Sequence, residues 1–318
     1  MNILITGGAG FIGSNLAEYL LEYNLVHSVT VIDNLSTGKI ENLVKCLSYP
    51  NFKFIEGDIR DYALLVDSFK NMDIVSHQAA LGSVPRSVED PITTHSVNTN
   101  GSLNVLKACV ECGVKRVILA GSSSVYGTNN QIPKVEDNIG APLSPYAVTK
   151  YTMELYAHAF MYNYGLEYIV LRYFNVFGPR QGFDNPYAAV IPTFCKAIIQ
   201  KNPIQIFGDG NQYRDFTFVS NVIDANVKAM FCANPQAINQ IYNIACGEKI
   251  TINQLAKCLL EYAKTNNEII YLPERRGDIK NSMASIDKAQ QLLGYNPIVK
   301  VNEGLRITLD YYKNTVRR

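Results

Sequence analysis

Tyr146 and Lys150 stand four residues apart in SPYAVTK, inside a helical pattern, so both side chains fall on one helix face about a turn apart. A phenol, with an ordinary pKa of about 10, is a poor base at neutral pH, but a neighbouring ammonium favours its phenolate. Without other groups nearby, the same spacing would describe a surface pair. Here RVILAGSSSVYG precedes it, an apolar strand that runs out at Ser122, Ser123 and Ser124 and offers hydroxyls for proton relay.

A second constellation opens the chain. The β-branched run NILIT is followed by Gly7, Gly10 and Gly13 in a G-x-x-G-x-x-G frame and then by a helical pattern through Phe11, Ile12, Leu16 and Leu20. Bare backbone at a strand-to-helix junction lets a pyrophosphate approach, and the helix N-terminus supplies unpaired N–H groups. Asp33 ends the next strand about 20 residues beyond the last glycine, where a carboxylate accepts from adenine-ribose hydroxyls and repels a 2′-phosphate. NAD is therefore expected rather than NADP. Asp58, in GDIRD, suits the adenine edge or a capped turn equally, and Asn98 at its helix start reads first as an N-cap.

These groups need a scaffold. Apolar runs at 28–33, 52–58, 73–79, 116–123 and 168–177 are separated by stretches long enough for crossover helices, the clearest at 98–113 and 145–165. The alternation predicts an α/β fold, a Rossmann-type doubly wound parallel sheet over residues 1–177. Residues 178–318, where the alternation weakens, are expected to form a smaller substrate-binding lobe with a helix near 188–201 and a strand at 204–207. The segment near 215–246 again reads strand, helix, strand and is expected to return to the first domain.

Composition narrows the function. The 318 residues carry 29 basic and 28 acidic side chains, and no long basic run would attract nucleic acid. No signal peptide and no apolar run of about 18 residues is present, so a cytoplasmic protein without membrane attachment is expected. Seven scattered cysteines fit reduced thiols, and the Cys109–Cys112 pair in a helix lacks the partners of a zinc site. The four histidines show no ligand spacing, so no metal is expected; His77, ending a strand, reads as a core or cofactor-packing residue.

GGAGFIGS, SSSVYG, SPYAVTK and LRYFNVFGP together resemble the UDP-hexose 4-epimerase family of extended short-chain dehydrogenases/reductases, over nearly the whole chain. AALGSVPRS at 79–87 and YAAVIP at 187–192 are most similar to bacterial members that prefer N-acetylated sugars. The resemblance implies tightly bound NAD, Tyr146 as base assisted by Lys150, and Ser122 orienting or relaying the sugar O4 proton. Hydride would leave C4 and return to the other face of a 4-keto sugar that turns within the site. On the cofactor side it further implies Phe11, Ile12, Asn34, Ser36, Gly38, Ile59, Gln78, Ala79, Ala80, Asn98 and Tyr173. For the UDP-sugar it implies Ser83, Ser123, Ser124, Asn175, Ala189 and Val190, with Arg86 as a weaker candidate. Arg214 and Arg275 would meet the diphosphate and Asp278 the uridine ribose. Ser282 would leave room for an N-acetyl group where a bulky residue would exclude it.

The expected reaction is reversible 4-epimerisation of UDP-GlcNAc and UDP-GalNAc, in a homodimer built through the 98–113 and 145–165 helices. Plain UDP-glucose and UDP-galactose, UDP-glucuronate and a lipid-linked N-acetylhexosamine are the alternative substrates. Dehydratases of this fold carry an Asp-Glu pair after the catalytic Ser or Thr, where this chain has Ser123 and Ser124. A non-catalytic NAD-binding scaffold would be expected to have lost Tyr146 or Lys150.

Overall fold

The computed structural model describes residues 1–182, 188–274 and 281–316. The first part alternates β1 (Asn2–Thr6), α1 (Phe11–Glu22), β2 (Ser28–Asp33), β3 (Phe52–Glu56), α2 (Tyr62–Phe69) and β4 (Ile74–His77). Two short helices, α3 (Val84–Glu89) and α4 (Pro91–His95), lead into α5 (Gly101–Glu111), β5 (Arg116–Ser122), α6 (Pro145–Tyr164) and β6 (Glu167–Tyr173). Then follow β7 (Val176–Phe177), α7 (Val190–Ile199), β8 (Ile204–Phe207), β9 (Tyr213–Arg214), β10 (Thr217–Phe218), α8 (Val219–Phe231) and β11 (Gln240–Ile244). The chain finishes with β12 (Ile250–Thr251), α9 (Ile252–Ala263), β13 (Ile269–Leu272), α10 (Asp287–Leu293) and α11 (Val301–Val316).

Among the described residues the main sheet has seven strands in the order β11-β6-β5-β4-β1-β2-β3, every neighbouring pair parallel. Covered on both faces, its strands are near-continuous apolar runs. Ile3 and Ile5 pack with Leu16 and Leu20 of α1 and Val222 of α8 on one face. Leu4, between them, packs on the other face with Leu65 of α2, Val105 of α5 and Met153 of α6. The segment after β10 supplies α8 and β11 to this sheet, with Tyr242 of β11 opposite Leu171 of β6. The parallel pair β8–β13 and the antiparallel pair β9–β12 lie outside it.

Two boundaries differ from the sequence reading. The apolar run at 168–177 is broken, because Asn175 adopts a left-handed φ of +37° that Asn tolerates better than most residues. The break separates β6 from β7, which pairs with β10 instead. The 98–113 helix is also not regular from its start: residues 96–100 form a π-turn before α5. Asn98 caps nothing there, because its side chain is buried and bonded to Leu81 and Thr149. By contrast α6 starts and stops as its sequence signals. Ser144 Oγ accepts from Ala147 N, Pro145 fills the first turn, and Gly165 ends the helix at φ +72°.

Candidate active site

A cleft of about 1220 Å³ lies at the C-terminal ends of β1, β2, β4, β5 and β6, around the point where the strand order reverses. Its β1 edge is a glycine turn. Gly7 has φ +68°, and a Cβ there would lie 2.6 Å from the Ala79 backbone; one on Gly13 would lie 2.4 Å from Gly7 O. The turn thus presents bare backbone, and α1 begins at Gly10 without a side-chain cap, so its first N–H groups remain open to an anion. Phe11, Ile12 and Gly13 of that first turn line the cleft.

Asp33 closes β2 beside this turn, 8% exposed. Its Oδ2 accepts from Ala9 N at 2.9 Å and its Oδ1 from Leu35 N at 2.8 Å, which fixes the carboxylate while leaving lone pairs for two hydroxyls. Burial pushes its pKa up and these N–H donors oppose the shift. Gly38 does not line the cleft, but a Cβ on it would meet both Asp33 oxygens at 2.9 Å, so its bareness makes room for the carboxylate. Asp58 accepts from the Arg60 guanidinium at 2.9 and 2.7 Å, which chiefly holds its pKa down to about 2, and from Asn34 Nδ2 at 2.8 Å. Asn34, Ser36, Asp58 and Ile59 all line this end. The glycine cradle, open helix N-terminus and carboxylate fit an NAD. Asp33→Ser should weaken NAD binding about tenfold or more while raising NADP affinity, as titration of cofactor-stripped protein would read.

At the other end Ser122 closes β5 and Tyr146 lies in the first turn of α6, both lining the cleft. Ser122 Oγ accepts from Ser124 Oγ at 2.9 Å and Ser124 N at 3.2 Å, so its own proton stays available. Burial raises the Tyr146 pKa and the nearby Ser122 hydroxyl opposes the shift. Lys150, 5% exposed, donates to Ala120 O at 2.8 Å; burial lowers its pKa to about 8 against the pull of Glu154.

That shift has a measurable consequence. With a folded pKa below the unfolded value, the protonated lysine costs stability fully below about pH 8, and the cost disappears as pH rises from there toward 10.5. Wild-type protein should therefore gain roughly 2 kcal/mol relative to Lys150→Met between about pH 7 and 10. Paired denaturant titrations check this, and a gap that stays constant would refute it.

Between the two ends, Tyr173 OH accepts from Asn226 Nδ2 at 2.9 Å and donates to Gln78 Oε1 at 3.3 Å, while Gln78 Nε2 donates to Asn226 Oδ1 at 3.1 Å. This triangle fixes Gln78 and Tyr173 as part of the cleft wall, with Ala79 and Ala80 beside them. Asn226 was not anticipated, because it comes from α8, remote in sequence from both partners. Asn175 lines the cleft with its Nδ2 given to Asp215 O at 2.9 Å, leaving Oδ1 to accept from a ligand.

Ser83 and Arg86 line the cleft, Ser83 also accepting from Arg86 N as the N-cap of α3, and Ala189 lines it at the start of α7. Asn98, Ser123, Ser124, Val190, Arg214 and Ser282 are not among its walls. Ser124 is hydrogen-bonded to Ser122, and Asn98 to Leu81. Val190 instead packs against the hydrophobic core. Arg214 donates to the carbonyl of Tyr213, to which Ser282 N also donates, so these two stand together near β9. Arg275 and Asp278 lie outside the described residues. The sequence reading also missed a wall from the far end of the chain: Tyr311 and Tyr312 of α11 line the cleft with Arg180 and Gln181, and Tyr312 OH donates to Gln181 O at 2.5 Å. No local motif announces that contact.

Residues 3–245 match the NAD dependent epimerase/dehydratase family, to which the chain belongs. Within it the chain falls in the UDP-hexose 4-epimerase group of extended short-chain dehydrogenases/reductases. It is 41% identical to a UDP-N-acetylglucosamine 4-epimerase from Methanobrevibacter ruminantium M1 solved with UDP-N-acetylmuramic acid (TM-score 0.93, covering 99% of this chain and 98% of that one). It is 39% identical to a UDP-glucose 4-epimerase from Thermotoga maritima solved with UDP-glucose (TM-score 0.92, 99% and 100%). A UDP-glucuronic acid 4-epimerase from Bacillus cereus, solved with UDP-glucuronic acid and NAD, is 33% identical (TM-score 0.92, 99% and 100%).

Proposed function

We propose that the protein interconverts UDP-GlcNAc and UDP-GalNAc by reversible epimerisation at C4. At the coarser level it is an NAD-dependent UDP-sugar 4-epimerase. The observation that carries the reaction type is the meeting of Tyr146, Ser122 and Lys150 at the strand ends, in the same cleft as the glycine turn and Asp33. Tyr146 takes the proton from O4 and gives it back; Ser122 holds O4 and passes the proton; Lys150 supplies positive charge that favours the phenolate and donors for a ribose. NAD, when bound, supplies the acceptor and donor of the C4 hydride.

The N-acetyl preference is supported by the small side chains that the loop after β4 and the segment before α7 present to the cleft, namely Gly82, Ser83, Ala188 and Ala189. Likeness to the M. ruminantium enzyme points the same way. Arg86 on the same cleft favours UDP-glucuronate as the second reading, since a guanidinium suits a carboxylate. Anomeric proton NMR of purified protein with UDP-GlcNAc and no added cofactor tests both. Appearance of UDP-GalNAc bears out the proposal, whereas unchanged substrate beside turnover of UDP-glucuronate replaces it with the second reading. Arg214 and Arg275 are proposed to hold the diphosphate, Asp278 the uridine ribose, and Ser282 to leave room at the sugar's C2 substituent, with residues 1–177 and 178–318 dividing cofactor and sugar binding.

We further propose a homodimer. The expected α5 is covered: Val105, Leu106 and Cys109 are buried, and Lys107 and Glu111 are its exposed positions. The apolar surface lies instead on α6, where Val148, Leu155 and Tyr162 recur every seven residues on one face, and on α3 and α4 with Val88 and Ile92. Light scattering should give a dimer mass for wild type and a monomer mass for Leu155→Arg. A wild-type monomer at micromolar concentration would end this proposal.

A further inference from the structure

Beneath the cleft runs a buried polar chain that takes no part in the proton and hydride steps. His77, 1% exposed, closes β4 with both ring nitrogens engaged: Nδ1 is 2.7 Å from Thr6 Oγ1 and Nε2 is 2.8 Å from Ser102 Oγ. The groups at the two ends decide who donates. The Ser102 hydroxyl has one proton and gives it to Asn98 O at 2.5 Å, since a carbonyl only accepts. Ser102 Oγ therefore accepts from His77, which places the imidazole proton on Nε2. Burial, aided by the nearby Lys150 ammonium, keeps the ring neutral, with its pKa lowered to about 3. Nδ1 is then bare and accepts from the Thr6 hydroxyl, whose oxygen takes a long bond of 3.4 Å from Ala79 N.

The chain continues beyond Asn98. Asn98 Oδ1 accepts from Leu81 N at 2.8 Å, and its Nδ2 donates to Leu81 O at 3.3 Å and to Thr149 Oγ1 at 3.2 Å. Thr149 gives its own proton to Tyr146 O at 2.8 Å. From Ala79 to Ser102 and from Asn98 to Tyr146 O the protons point toward the turn of α6 that carries the phenol, while the second Asn98 Nδ2 proton returns to Leu81 O in the loop that lines the cleft. The π-turn at 96–100 is the local distortion that brings Asn98 into this line.

We propose that His77 is a positioning residue for the epimerisation: as the neutral Nε2–H tautomer it ties the loop at 78–83 to the first turn of α6 and fixes Tyr146 relative to the bound sugar. The inference rests on Tyr146 being the reacting base, and the tests separate the two.

Long-range proton–nitrogen spectra of protein labelled with nitrogen-15 in its four histidines should show one ring protonated at Nε2 that does not titrate between about pH 5 and 9. His77→Asn identifies that signal by its disappearance. An Nδ1–H tautomer, or titration in that range, overturns the proposal. Ser102→Ala, which removes the acceptor of the Nε2 proton, should lower kcat by about 10- to 100-fold with KM and bound NAD unchanged, the size expected of a displaced reacting group. Ser102→Thr, which keeps the hydroxyl, should restore kcat. Wild-type kcat in Ser102→Ala, or equal losses in kcat, KM and NAD content, would reject a positioning role. The spectrum needs no substrate, so a wrong tautomer condemns the network whatever the activity. The expected tautomer beside a fully active Tyr146→Phe enzyme condemns the base, and the positioning role with it.

Discussion

Tyr146→Phe should lower kcat by about 10²- to 10⁴-fold and leave KM and retained NAD near their wild-type values. The change deletes one oxygen. The ring keeps its place in the first turn of α6, so the loss reports proton transfer rather than folding. The pH profile sharpens the expectation. In the absence of cofactor, burial keeps Tyr146 protonated beyond the ordinary phenol range, so the phenolate depends on positive charge close by. In the proposed mechanism Lys150 provides it, and Lys150 loses its proton as pH rises through about 8. Wild-type kcat should accordingly fall on the alkaline side of about pH 8, and the residual rate of Tyr146→Phe should lack that limb. If steady-state assays of Tyr146→Phe gave a rate within threefold of wild type, another base would have to be sought in the cleft.

The largest effect on stability is expected at the ion pair behind α6, the helix that carries Tyr146. Arg172 on β6 and Glu154 on α6 are joined by two bonds of 2.9 and 2.8 Å, and their side chains are 2% and 1% exposed. Arg172 Nη1 also donates to Tyr126 OH at 3.1 Å and to Glu136 O at 2.8 Å, and Tyr126 OH donates to Asn243 Oδ1 at 2.6 Å. The arginine thereby joins α6 to the end of the serine loop and to β11. Glu154→Leu strands a guanidinium in the core and should cost about 3–5 kcal/mol. For a chain of 318 residues that is a fall of roughly 4–8 °C in Tm. The double change Glu154→Leu with Arg172→Met removes both charges and should recover most of the loss, because paying to desolvate two ions is no longer required. Calorimetry on the three proteins decides the matter: a double variant as unstable as Glu154→Leu would mean that shape, and not uncompensated charge, is what the pair provides. Lys150 lies one turn before Glu154, so the single variant should also depress kcat in the fraction that remains folded.

How much of this was legible beforehand depends on how local each cause is. The glycine frame, Asp33 and the SPYAVTK helix were readable because a tight turn, a strand end and an i,i+4 face are set by a few neighbouring residues, and backbone sterics and helical periodicity act at that range. The order of strands could be expected only as a class, a doubly wound sheet. The π-turn at 96–100 falls across the expected start of the 98–113 helix, and its Asn98 is bonded to Leu81 and Thr149, neither of them its neighbour in sequence. The broken strand at Asn175 was missed for a related reason. Its residues are mostly apolar and aromatic on both sides of Asn175, while the left-handed bend is stabilised by bonds to Asp215 and Thr217.

What the sequence determined by itself, then, was the chemistry on offer: a phenol beside an ammonium, a serine run, a bare phosphate turn and a carboxylate at a strand end. Residue type and short spacing suffice for that. Only the tertiary structure decided which of these groups face one cleft, that Asn226 and α11 share in building it, and that Asn98 and His77 lie beneath it rather than in it. Such outcomes depend on contacts between residues far apart in the chain, and those are fixed when the whole core packs.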